Sequence, residues 1–164
     1  MIFRISQKLG DKIKTNPEVV LPEHDNPFAD WSAHLFTVSR IQYIIVSNTK
    51  TLYSIIMYAK GINDTAKFVA NGITAIKDTL KSDGFEFQYK RFIEPDITNV
   101  IFSKNSNRRV IGSMNEMIYF AKVIFPEEKS ITPYEATKEI NGLILSILKY
   151  NTPREEFSAM RIIS

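Results

Sequence analysis

Three short runs decide the fold class: Ser32–Val38 (SAHLFTV), Ile41–Ser47 (IQYIIVS) and Thr51–Tyr58 (TLYSIIMY). All three are rich in β-branched and aromatic residues, which suit the pleated surface of a strand. Ser39-Arg40 joins the first to the second, and Asn48-Thr49-Lys50 supplies turn residues before the third. Connections that short admit only antiparallel neighbours, so a three-stranded meander is expected. The middle run is apolar at nearly every position, which predicts cover on both of its faces.

Working outward, Ile2–Ile5 reads as a first strand. Ser6 stands at the N-cap of a helix Gln7–Lys14, with Leu9 and Ile13 four residues apart on one side and Lys8 and Lys12 on the other. Pro17, Pro22 and Pro27 mark an extended surface loop. Gly61–Asp64 then opens a helix of Thr65 to Lys81 with an apolar stripe of Val69, Ile73, Ile76 and Leu80. Phe85–Ile93 fits both strand alternation and helical spacing and is read as a short helix stopped by Pro95, followed by a strand Ile97–Ser103. Ser113 and Glu116 have the spacing of a capping box, which predicts a helix from Met114 to Phe125 ended by Pro126. Thr132–Glu135 and Thr152–Glu155 repeat that start signal with proline at the first helical position, and the first of these helices carries Ile140, Leu143, Ile144, Ile147 and Leu148. The expected fold is α+β: an antiparallel-rich sheet of about five strands, helices packed mainly on one face, and a single domain over 1–164.

Composition narrows the chemistry. With 44% hydrophobic and 24% charged residues in 164, the chain buries a core without a metal or disulfide staple. It has no cysteine, which excludes disulfides, thiolate nucleophiles and zinc–thiolate sites. The first residues, MIFRISQK, lack the apolar core of a secretion signal, and no run approaches the ~20 apolar residues of a membrane span. A cytoplasmic protein without a membrane partner is expected. The net charge of +3 is modest for a dedicated nucleic-acid binder. Its cations gather in two places: Arg4, Lys8, Lys12 and Lys14 near the start, and Lys104, Arg108 and Arg109 between Asp96 and Glu116. Whether these share one face is a question for the fold.

The second cluster is the first candidate site. Lys104, Asn105, Asn107, Arg108, Arg109, Gly112, Ser113 and Asn115 crowd the junction between a strand and a helix. A helix start offers free N–H groups and the positive end of its dipole to an anion. An arginine adds a paired contact, and Gly112 permits close approach. The loop is not a Walker A motif, since it lacks the glycine pair and the Gly-Lys-Ser/Thr ending. The same residues also fit a capped, solvated loop. Asp30, Ser32 and His34 share one face of a strand, but neighbours two apart project in parallel rather than converge, so no triad is expected. His34 remains as a lone acid–base candidate. Glu23-His24-Asp25 carries ligand atoms but no helical ligand pair, so no metal or cofactor is expected. Phe36, Tyr43, Tyr53 and Tyr58 would stack bases only on an open sheet face.

Four stretches taken together, Arg4–Leu9, Asp30–Leu35 (DWSAHL), Ser47–Ser54 (SNTKTLYS) and Asn107–Asn115 (NRRVIGSMN), resemble a bacterial family of uncharacterised domains. The resemblance spans about Met1 to Phe125, and Gly-Ser-Met-Asn is its most specific part. It implies a bacterial or mobile-element cytoplasmic protein, brings no activity, and places Trp31, His34, Asn48, Asn107, Arg108, Ser113 and Asn115 in one pattern. The leading expectation is a binding module for an anion: a nucleic-acid or nucleotide phosphate, or an acidic partner. One alternative is an enzyme pairing His34 with Arg108 or Arg109 as charge stabiliser, and another is a protein-interaction subunit. Sequence leaves the oligomeric state open.

Overall fold

The computed structural model describes residues 1–127 and 131–163. The expected meander is present: β2 (Asp30–Val38), β3 (Ile41–Asn48) and β4 (Ser54–Tyr58) pair antiparallel in sequence order. Ser39 and Arg40 both hold positive φ (49° and 69°), the left-handed pair that lets a two-residue turn follow the strand twist. The third strand begins at Ser54, not at Thr51, because the chain first folds back on Asn48. The Asn48 carbonyl accepts the Leu52 N–H (2.8 Å), and its N–H donates to the Tyr53 carbonyl (2.8 Å).

β1 (Ile2–Ile5) corrects the rest of the expected topology. It lies parallel to β2 on one side and to β5 (Ile101–Lys104) on the other, giving the order β4-β3-β2-β1-β5. The sheet is therefore mixed rather than antiparallel-rich. β5 is shorter than the expected Ile97–Ser103, since the carbonyls of Asp96 and Asn99 turn in to the nitrogen of Met1 (3.1 and 3.0 Å) instead of extending the ladder.

Helices cover both faces of the sheet, not mainly one. On β3, Ile44 and Val46 point into one core with residues of α1 (Gln7–Ile13), α2 (Thr65–Ser82) and α6 (Pro153–Ala159). Tyr43 and Ile45 point into a second core with α4 (Arg108–Glu127) and α5 (Pro133–Asn141). Strand alternation puts these pairs on opposite faces. From Tyr43 onward both sides of β3 are thus buried, as its largely apolar run demands. In α2 the buried stripe is Phe68, Gly72, Ile76 and Leu80, with Val69 and Ile73 only partly covered. The helical reading of Phe85–Ile93 holds: α3 (Glu86–Gln88) continues as a π turn (Tyr89–Ile93) and a 3-10 turn (Glu94–Asp96).

A polar row crosses the α4 side of the sheet, one residue per strand: Ser103, Arg4, Ser32, Ser47 and Ser54, all buried. It is satisfied internally. Arg4 forms a two-pronged ion pair with Asp30 (2.8 Å each) and donates to the Leu21 and Pro22 carbonyls (2.7 and 2.8 Å). Ser32 bonds Thr49 (2.9 Å), and Ser47 bonds Ser54 (2.6 Å). Arg4 is therefore no part of a basic face with Lys8 and Lys12; it clasps the proline-rich loop to the sheet. At the β4 edge, Asn141 of α5 bonds both the N–H and C=O of Ser54 (2.8 Å each), and Thr137 accepts the Ile56 N–H (2.9 Å). Side chains of one helix thereby occupy polar groups that an open edge strand offers to other chains.

Two helix limits differ from expectation. α4 starts at Arg108, because Asn107 is its cap: the Asn107 Oδ1 accepts the N–H groups of Arg109 (3.1 Å) and Val110 (3.2 Å). Val110 belongs to the buried stripe with Met114, Met117, Ile118 and Ala121, which pulls the helix start upstream. Ser113 and Glu116 consequently lie inside the helix and form no cap, and Pro126 sits in its last turn. The capping boxes at Thr132 and Thr152 are both formed. The α5 helix stops at Asn141, short of Leu148, where Asn141 turns to β4 and a 3-10 turn (Ser146–Leu148) follows.

Candidate functional site

β1 and β5 are adjacent and parallel, but their outgoing helices part company. β1 sends α1 to one face of the sheet, and β5 sends α4 to the other. Where neighbouring parallel strands diverge in this way, a crevice opens beyond their carboxyl ends, the usual ligand position in sheets of this kind. Here a cavity of about 670 Å³ occupies that place, within the range of small-molecule sites. Ile5 and Lys104, the last residues of the two strands, both line it, with Ser6 and Asp11 from the α1 side and Ile111 from α4.

Its most unusual wall is the pair His34–Asn105. Ala33 of β2 is level with Ile5, the end of β1, so His34 stands just past that end. Asn105 reaches the same level from β5, its N–H donating to the Ile5 carbonyl (3.2 Å). The two side chains meet across the end of β1, with His34 Nε2 and Asn105 Nδ2 3.0 Å apart. Both residues are more than nine-tenths buried, at 7% and 9% exposure. Burial pushes the His34 pKa down to about 4, so the ring is neutral at pH 7.

A neutral imidazole has one donor and one acceptor nitrogen. If the Asn105 amide donates to Nε2, its Oδ1 is buried with no partner. Turning the amide over would exchange the roles and leave its NH₂ unpartnered instead. In either arrangement one half of a buried amide lacks a protein partner, at a cost of about 1–3 kcal/mol. Buried polar groups are paired in most folds, so such an exception calls for a reason.

Three charged side chains line the same cavity: Asp11 of α1, Glu18 of the following loop and Lys104 of β5. Among the described residues the ion pairs are Arg4–Asp30, Lys67–Asp64 and Lys90–Glu86, so none of the three is neutralised by a close partner. Asp11 and Glu18 carry no signal in the sequence, being 93 and 86 residues from Lys104.

The remaining site candidates scatter. Arg108, Arg109, Gly112 and Ser113 line a shallow depression of about 340 Å³ with Glu116, Ser146 and Ile147, apart from the His34 crevice. Asn107 lines a third cavity of about 370 Å³ with Lys50 and Arg161, and Asn115 is exposed on α4. Asn107 already occupies two N–H groups of the helix start, which leaves little for an anion there. Trp31 is fully buried, its indole N–H donating to the Phe28 carbonyl (2.8 Å). Asn48 is saturated: its NH₂ donates to Pro27 and Asp30 carbonyls, and its oxygen accepts both the N–H and hydroxyl of Thr51. On β2, Asp30 faces Arg4, Ser32 faces Thr49 and His34 faces Asn105. Phe36, Tyr43 and Tyr53 lie in the cores rather than on an open face, and of the four rings Tyr58 alone is exposed.

Among the described residues, no cluster of three metal-ligating side chains occurs and no helix is long and apolar enough to cross a membrane. No curated protein and no solved structure matches the chain. A family model does match, over residues 2–156, taking in both halves of the sheet and the crevice between β1 and β5. The chain belongs to that family, described as Domain of unknown function (DUF6933).

Proposed function

We propose that this domain is a binding module, not an enzyme, and that its small polar ligand enters the crevice beyond β1 and β5. The observation that carries this is the half-partnered amide of Asn105, buried against a neutral His34 on the wall of the 670 Å³ cavity. The expected anion-binding junction contributes Lys104 and Asn105 to this crevice, whereas Arg108 and Arg109 lie at another surface. Acid–base catalysis by His34 has less support. A group that titrates near pH 4 is far from the neutral range in which a general acid or base works best. Neither arginine lines its cavity to stabilise developing charge. A bacterial, cytoplasmic setting is part of the same proposal.

The test is saturation-transfer NMR on the full chain with pools of amino acids, sugars, nucleosides and nucleotides, repeated with Asn105→Ala and with Arg108→Ala/Arg109→Ala. A transfer signal that vanishes in Asn105→Ala and persists in the double variant supports the crevice. The reverse pattern moves the site to the start of α4 and overturns the proposal.

A further inference from the structure

We propose that the crevice takes a small zwitterion of the α-amino-acid kind, its ammonium toward Asp11 and Glu18 and its anionic group toward Lys104. The proposal rests on the crevice reading above and adds the ligand class. Two carboxylates and one ammonium line a single cavity, yet no two opposite charges among them come within ion-pair distance. All three side chains are exposed and none pairs with another, so a ligand carrying both charges can bridge them. The lining selects against a dianion such as phosphate, which would meet two carboxylates for one cation. It equally disfavours a simple diamine, which would meet Lys104. A molecule with one charge of each sign meets a counter-charge at both ends, its ammonium shared between the two carboxylates, and leaves the lining's single excess negative charge unchanged.

The neutral groups fit the same ligand. Asn105 lines the same cavity with half of its amide unpartnered, a polar group that turns to a ligand donor only if the side chain shifts, and the neutral His34 adds no further charge to the lining. Ile5 and Ile111 give an apolar surface for a short side chain. The volume of about 670 Å³ admits an amino acid with several waters and does not require a nucleotide-sized ligand.

Isothermal titration of the full chain with the twenty L-amino acids, inorganic phosphate, AMP and glucose tests the assignment. Each binder is then compared with its des-amino acid and its decarboxylated amine. At least one amino acid should bind, and removal of either charged group should weaken it about tenfold or more, as loss of a charge-assisted contact does. Lys104→Met should weaken the amino acid and the des-amino acid but not the amine. Glu18→Gln with Asp11→Asn should weaken the amino acid and the amine but not the des-amino acid. These positions are exposed, so the variants should fold normally. Binding of AMP, phosphate or glucose that is abolished in Asn105→Ala, with no amino acid bound, overturns the ligand class and leaves the crevice standing. No binding by any probe overturns both.

Discussion

A histidine kept neutral by burial leaves a pH signature of definite sign. In the unfolded chain His34 titrates near its ordinary 6.5, and in the folded protein near 4. Between those values the unfolded state binds more protons, so stability rises with pH through this window. The contribution is complete above pH 6.5 and is lost as pH falls toward 4. The full gap corresponds to about 3 kcal/mol, of which about 2 kcal/mol disappears between pH 7 and pH 5. For a chain of this size that is a fall in Tm of about 4–8 °C. The assay is denaturant unfolding at pH 7, 6 and 5 on the wild type and on His34→Gln, which retains a polar side chain but cannot titrate. Carboxylates contribute equally to both proteins, so the difference between the two pH profiles isolates His34. The chain has two histidines, so NMR titration with His24→Gln as the assignment control follows the ring directly. A His34 midpoint near 6.5, or an undiminished pH dependence in His34→Gln, refutes the burial argument.

Two substitutions probe the frame around the site. Asp30→Ala strands the Arg4 guanidinium in the sheet and should cost about 3–5 kcal/mol, a loss of roughly 10 °C in Tm by calorimetry. Arg4→Met combined with Asp30→Leu should recover most of that loss, and failure to recover would mean the pair does more than neutralise itself. Asn107→Ala removes the cap of α4 and should cost about 1 kcal/mol in denaturant unfolding while leaving crevice binding unchanged. A loss of binding without a loss of stability would make Asn107 a ligand contact instead.

Some features of the fold are readable in the chain because their causes are local. The Ser39-Arg40 turn, the Ser6 cap, the Thr132 and Thr152 capping boxes and the double-sided burial of β3 all follow from residues a few positions apart. The start of α4 is not readable in this way, because two local signals compete there. Ser113 with Glu116 has capping spacing, but Asn107 followed by Val110 extends the buried stripe, and packing decides between them. Arg4 reads as one more surface cation until Asp30, Leu21 and Pro22 close round it.

The crevice belongs wholly to the tertiary structure. Meander pairing is forced by short turns, but nothing local tells β1 to run parallel between β2 and β5, since that placement depends on which faces the connecting helices cover. Only that placement brings His34 to Asn105, 71 residues apart, and puts Asp11, Glu18 and Lys104 round one cavity. The order of residues along the chain determined most of its strands and helices, and its composition determined the lack of thiol chemistry. The divergence of two helices from neighbouring strands made the site, because a cavity is a property of how elements leave a sheet and not of any stretch within it.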